Sequence, residues 1–313
     1  MDRGRRYTRT PMARKRFNVR HILVAVLAIG LAVGLIGLSL YLVQSAHNRA
    51  EQAQLAAAHW EGLQQELTLA PPVDPSAATA TPHISGVAQA QASTSADTQI
   101  KPFFQVIGVT RKAFKPVMKR NSDAIGWLTI EGIVDQPIVY RDNIYYLTHD
   151  IDQNSNVCGA VFLDANHPLR TDAQNLLVFG HNMKDESMFG KLPKYMKSGF
   201  LRTHYQATLE TRFEVFSYLI FAVDRVSMDT ASDHFLYFWG YPSFASEDAF
   251  RRYINTVYEH SLYTRFLDVE ASDTLLTLVT CVGEDRLVLF ARRRRPSDTD
   301  AIIRQALLGL YSR

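Results

Sequence analysis

Cysteine is what this chain of 313 residues has least of: two, Cys158 and Cys281. Two thiols cannot build a disulfide framework, and no Cys or His residues stand at ligand spacing for zinc, so neither a metal nor another cofactor is expected. Each thiol needs its own explanation. A large charge of one sign is lacking too, with 34 Lys and Arg against 31 Asp and Glu, net +3. That balance is uneven, because residues 1–20 hold eight basic residues and one acid (+7), which leaves −4 for the remainder. A body of net negative charge lacks the basic face that nucleic acid requires, so no nucleic-acid partner is expected. Internal repeats are absent, which leaves a single domain of ordinary size beside its appendages.

Long apolar runs number one. Residues 22–43, "ILVAVLAIGLAVGLIGLSLYLV", carry no ionisable charge, and as a helix rising ~1.5 Å per residue they would cross a hydrocarbon core of about 30 Å. A transmembrane helix over 21–43 is expected, with a cleaved signal peptide as the competing reading, whose apolar region is usually only about 7–15 residues. The basic tail 1–20 would stay cytoplasmic, making the protein a single-pass membrane protein with everything after Val43 outside the cell. Residues 44–69, rich in Ala, Gln and Glu, predict a juxtamembrane helix. Residues 70–100 are low-complexity Pro, Ala, Ser and Thr with too few large apolar groups to fold, so the segment 44–100 ends as a spacer. The outer domain is then 101–313.

Inside it the apolar runs are short and bounded by turn residues: "IGWLTI", "QPIVY", "GAVFLD", "NLLVFG", "RFEVFSYLIFAV", "TLLTLVTCV" and "RLVLFA". They predict seven or eight strands. Helical periodicity is confined to 104–120, 187–197 and 246–260, with a short amphipathic C-terminal helix opened by Pro296 and Ser297 after a solvated arginine run. A mainly β barrel or sandwich with peripheral helices follows.

If "LLTLVTC" and "RLVLF" form an antiparallel hairpin around Val282-Gly283-Glu284-Asp285, Cys281 and Arg286 flank the loop and oppose each other with Cβ atoms roughly 5 Å apart. A guanidinium there can stabilise a thiolate or a developing oxyanion. The alternative is that Cys281 is a small buried hydrophobe, a common fate of free cysteine. Cys158, beside Gly159, reads as a small strand residue. His181 stands just past a strand end in "NLLVFGHNMKDESMFGKL", after Gly180 has freed the backbone to change direction. It reads as either a cleft residue or a solvated one.

Together these stretches resemble the sortases, membrane-anchored cysteine transpeptidases of the Gram-positive cell surface, through "TLVTC" with its trailing strand arginine. Class B is the nearest subgroup, through "FGHNMKDESMFGKL", "NIYYLTHDIDQNSNVCGAVFLDANH" and "FRRYINTVYEHSLY". The resemblance implies a closed β-barrel of seven to eight strands with peripheral helices, behind the N-terminal transmembrane helix. It implies Cys281 as nucleophile, His181 as proton carrier, Arg286 as stabiliser of substrate and oxyanion, and Asn182, Thr280 and Leu147 as substrate contacts. The implied reaction cleaves an NPxT-type sorting signal after Thr through a thioester. The partners would be surface proteins carrying that C-terminal signal, and an amine from a peptidoglycan precursor or a pilin lysine. A sortase-fold scaffold without turnover and a secreted cysteine peptidase using water are the alternatives. The loop after Cys281 is shorter than class B usually has, which leaves Arg292 as a substitute for Arg286.

Overall fold

In a computed structural model of the protein, residues 19–69, 114–166, 173–212 and 214–311 are described. The basic tail up to residue 18, the low-complexity spacer from 70 and the first part of the helix expected over 104–120 lie outside these residues. The chain divides into two compact units, Met1–Ala50 and Glu51–Arg313. Helix α1 (Val19–Leu69) starts in the first and ends in the second. In the first unit the large apolar side chains from Leu27 to Val43 are exposed along it. Among the described residues, this is the one helix long and apolar enough to cross a membrane.

The second unit is a closed barrel of eight strands in the order β1-β2-β3-β4-β7-β8-β6-β5. The strands are β1 (Ala124–Ile130), β2 (Val134–Val139), β3 (Val161–Leu163), β4 (Asn175–Phe179), β5 (Gln206–Thr211), β6 (Val215–Val226), β7 (Leu275–Val282) and β8 (Asp285–Arg293). Seven grow from the apolar runs read in the sequence. The eighth, β5, came from none of them, because "QATLET" alternates small and polar residues and is apolar at only two positions. Pairing is antiparallel except for β2 with β3 and β4 with β7. The parallel pair matters most for the site, because it delivers the ends of β4 and β7 to the same rim.

Helices lie around the barrel. Helix α2 (Phe114–Arg120) and the short α3 (Ser198–Leu201) flank it. Helix α4 (Glu247–His260) is capped by Ser246, whose hydroxyl accepts from the Ala249 amide at 3.2 Å, and it buries Phe250, Tyr253, Ile254, Val257 and Tyr258. The helix expected over 187–197 is instead a turn followed by a 3₁₀ segment, Leu192–Met196. Left-handed φ values at Glu186 (65°) and Met188 (50°) precede it, and Pro193 opens it without an amide hydrogen to donate. The C-terminal helix α5 (Asp300–Leu308) is capped by Thr299, four residues into the expected start.

The arginine run before α5 is not solvated as expected. Arg292 is fully buried on a bidentate pair with Asp298 at 2.7 and 2.9 Å, and Arg295 pairs with Asp268 and Asp273, each at 2.6 Å. Four aspartates converge on the run, Asp300 holding Arg294; Asp298 and Asp300 tie the start of α5 to the end of β8, and Asp268 and Asp273 tie the segment before β7 to it. Contact with Arg292 holds the Asp298 carboxyl below its ordinary range.

The second half of α1 is also more than a spacer. Leu55 and His59 are buried, and the His59 ring stacks on Trp127 of β1 at 4.1 Å. Its Nε2 lies 3.4 Å from the Glu210 carboxylate of β5. Trp60 donates its indole hydrogen to Asp135, which also accepts from Trp127.

Candidate active site

Strand register builds the site. In the parallel pair Phe179 of β4 lies beside Val279 of β7; His181 and Cys281 each follow two residues later. The ladder continues for one more bond, Gly180 N–H to Val279 O at 3.2 Å. His181 and Cys281 therefore leave adjacent strands at matching positions. In the antiparallel pair of β7 and β8, Cys281 faces Arg286 and Val282 faces Asp285. The expected opposition of Cys281 and Arg286 holds, while the loop is tighter than four residues. Only Gly283 and Glu284 turn the chain, and Gly283 takes φ +64°. A positive φ at the first central residue alone is the type II′ pattern that suits strand twist.

Cys281, His181 and Arg286 line one cavity of about 240 Å³ with Leu147, Thr280, Val279, Asn143 and a Phe162–Phe179 stack whose ring centroids are 5.5 Å apart. Cys281 is exposed, which removes the reading of a buried small hydrophobe. Cys158 is the buried thiol, and it lies in the turn ahead of β3 rather than in a strand, because β3 starts only at Val161. Among the described residues Arg286 donates hydrogen bonds only to backbone carbonyls, of Glu284 at 3.4 Å and Asp285 at 3.2 Å. Among the described residues no carboxylate pairs with it, so its charge stays available to the cavity. Asp285 is held by Arg225 at 2.7 Å. Arg292 cannot substitute for Arg286, because it is outside the cavity and committed to Asp298.

The imidazole is held by Leu147, whose carbonyl accepts from His181 Nε2 at 2.8 Å. That bond needs the hydrogen on Nε2 and leaves Nδ1 as the basic nitrogen. Gly180 supports the histidine for a reason other than backbone freedom, since its φ is not positive. A Cβ there would stand 2.7 Å from the Phe189 ring. Thr280 lines the cavity with its hydroxyl donated to Gly180 O at 2.7 Å. Asn182 does not line it; its amide donates to Cys281 O at 2.7 Å. Asn143, Phe162 and Phe179 escaped the sequence reading. Period-two alternation from Leu177 could have found Phe179; nothing local marks Asn143, whose side-chain oxygen accepts from Ala165 N at 2.7 Å.

An exposed thiol, an imidazole and an unpaired guanidinium in one cavity form the equipment of nucleophilic acyl chemistry. The Sortase domain family model matches residues 128–294. Sortase B of Listeria monocytogenes is 33% identical over 181 residues, covering 57% of this chain and 71% of that protein. A crystal structure of sortase B from B. anthracis superimposes with a TM-score of 0.53 at 28% identity, over 60% of this chain and 87% of that one. The Listeria monocytogenes structure gives 0.51 at 31% identity, over 57% and 99%. The chain belongs to the sortase family, in class B, and is a cysteine transpeptidase.

Proposed function

We propose that the protein is a membrane-anchored transpeptidase that cleaves an NPxT-type sorting signal after Thr and joins the upstream part to an amine. Cys281 Sγ, as thiolate, attacks the Thr carbonyl carbon; the C–N bond breaks, and the leaving amine takes a proton from His181. Arg286 stabilises the oxyanion. The amine nucleophile, from a peptidoglycan precursor or a pilin lysine, then attacks the thioester, forms the new amide and returns sulfur as thiolate, its proton passing to His181. The helix over 21–43 anchors the chain, with residues 1–20 cytoplasmic and the outer domain at the cell surface.

The observation that carries this reading is the register that sets Cys281 opposite Arg286 and puts the last parallel pair two residues before both Cys281 and His181, with all three lining one cavity. It is tested with an NPxT-type peptide, with and without added amine. We expect amine-dependent ligation by the parent, none by Cys281→Ala, and near-parental turnover by Cys158→Ala. Equal loss in both variants would overturn the assignment; cleavage by water unaffected by amine would identify a peptidase, and no cleavage a scaffold.

A further inference from the structure

The two strands that carry the thiol and the imidazole are tied by side chains as well as by their ladder. Thr280, immediately before Cys281, donates its hydroxyl to the carbonyl of Gly180, immediately before His181, at 2.7 Å. Asn182, immediately after His181, donates its amide to the carbonyl of Cys281 itself, also at 2.7 Å. The bonds run in opposite directions, one from β7 to the histidine segment and one back. Each spans about a hundred residues of sequence, 100 and 99 positions.

A third bond lies deeper on the same strand pair. Thr277 Oγ1 donates to Asn175 Oδ1 at 2.8 Å, with both side chains buried. Ladder bonds alone fix the spacing of two strands, yet β4 ends at Phe179 and the ladder stops with the Gly180 amide. Beyond that point the backbone of His181 has no strand partner on β7. The Thr280 and Asn182 bonds begin where the ladder ends. Thr280 is 2% exposed, so its hydroxyl has no water to exchange for the Gly180 carbonyl, and losing the donor leaves that carbonyl unmatched.

We infer that Thr280 and Asn182 form a reciprocal clasp that sets the separation of Cys281 and His181, and that they are positioning residues rather than substrate contacts. This rests on the proposed roles of Cys281 and His181. Two bonds donated in opposite directions across the pair resist both sliding along the strand and splaying away from it. Effective catalysis needs reacting groups within a few tenths of an ångström of their productive positions, so a displacement of about 1 Å can lower the rate by about 10². Substrate binding also draws on walls outside this strand pair, among them Asn143, Leu147 and Phe162, so it depends less on that separation than the chemical step does.

The test uses the full chain in detergent and two changes of similar volume, Thr280→Val and Asn182→Leu, each of which removes one donor without adding a charge. Two readouts are taken: kcat and KM on an NPxT-type peptide, and the pH dependence of Cys281 alkylation by iodoacetamide, with His181→Ala as reference. We expect each variant to lower kcat about tenfold with KM within twofold, and to shift the alkylation profile toward that of His181→Ala. Thr280→Ser, which restores the donor, recovers most of the rate. A raised KM with kcat kept would make these residues substrate contacts and overturn the clasp. Parental kcat in both variants, or an alkylation profile that stays parental, would overturn it equally. If the parent turns over no peptide, the proposed function fails, while the alkylation profiles still decide whether the clasp couples the two side chains.

Discussion

Two arginines of β8, six positions apart and on the same side of the strand alternation, have opposite fates, and their surroundings explain why. Arg286 is half-buried and, among the described residues, hydrogen-bonds only to backbone carbonyls, whereas Arg292 is fully buried with its guanidinium clamped by Asp298. A charge that acts on substrate must not be neutralised beforehand; a charge that holds a fold must be. Arg286→Lys keeps the charge and loses the planar fork. It should lower kcat/KM by about 10², in the range for losing one oxyanion-hole donor, with an unchanged melting temperature. Arg292→Ala strands a buried carboxylate and should destabilise by roughly 3–5 kcal/mol. Thermal melts and peptide kinetics on both variants separate the roles. Loss of activity in a well-folded Arg292 variant, with Arg286 variants active, would reverse the assignment.

At the scale of elements, the second half of α1 belongs to the barrel. Its residues were legible as a helix but not as a docked one, because the docking face holds few aliphatic groups. Leu55 is joined by a histidine lying flat on Trp127 and by a tryptophan whose indole reaches Asp135. A stacked histidine leaves no apolar stripe to read. A fragment starting at residue 101 should therefore melt below one starting at 51. Exposing the Leu55 contact and the Trp127 face forfeits roughly 3 kcal/mol, which for a domain of this size is about 6–12 °C. Equal melting temperatures would mean that the helix rests on the barrel without stabilising it. The same contrast separates what else the sequence disclosed. The opposition of Cys281 and Arg286 was legible because a hairpin is local and period two fixes facing residues. His181 needed the family resemblance, since nothing in "FGHNM" says which strand its neighbour will be. β5 passed unseen because its pairing partners β1 and β6, rather than its own apolar content, make it a strand.

Across the whole molecule, among the described residues, Asp224 of β6 is a buried carboxyl with one oxygen left without a hydrogen-bond donor. It is 1% exposed, its Oδ2 accepts no hydrogen bond, and His260 at the end of α4 is 3.9 Å away. Burial raises its carboxyl from 3.8 to about 7. The folded chain thus keeps a proton that the unfolded chain releases earlier. The stability this contributes is complete below the unfolded value and is lost as pH climbs through the folded one. Asp224→Asn should flatten the fall in melting temperature between about pH 4 and 7 and leave the variant more stable at the upper end. Parent and variant curves that stay parallel would show that Asp224 does not titrate there. The parallel pairing of β4 with β7 has an effect in time as well as in space. The thiol and the imidazole meet only by closing a loop of about a hundred residues, with the strand that bears Arg286 following last in the chain. A chain made from its N-terminus holds His181 long before it holds anything for that histidine to work with. Competence is thus acquired in one late step, and an unfinished copy carries no assembled catalyst.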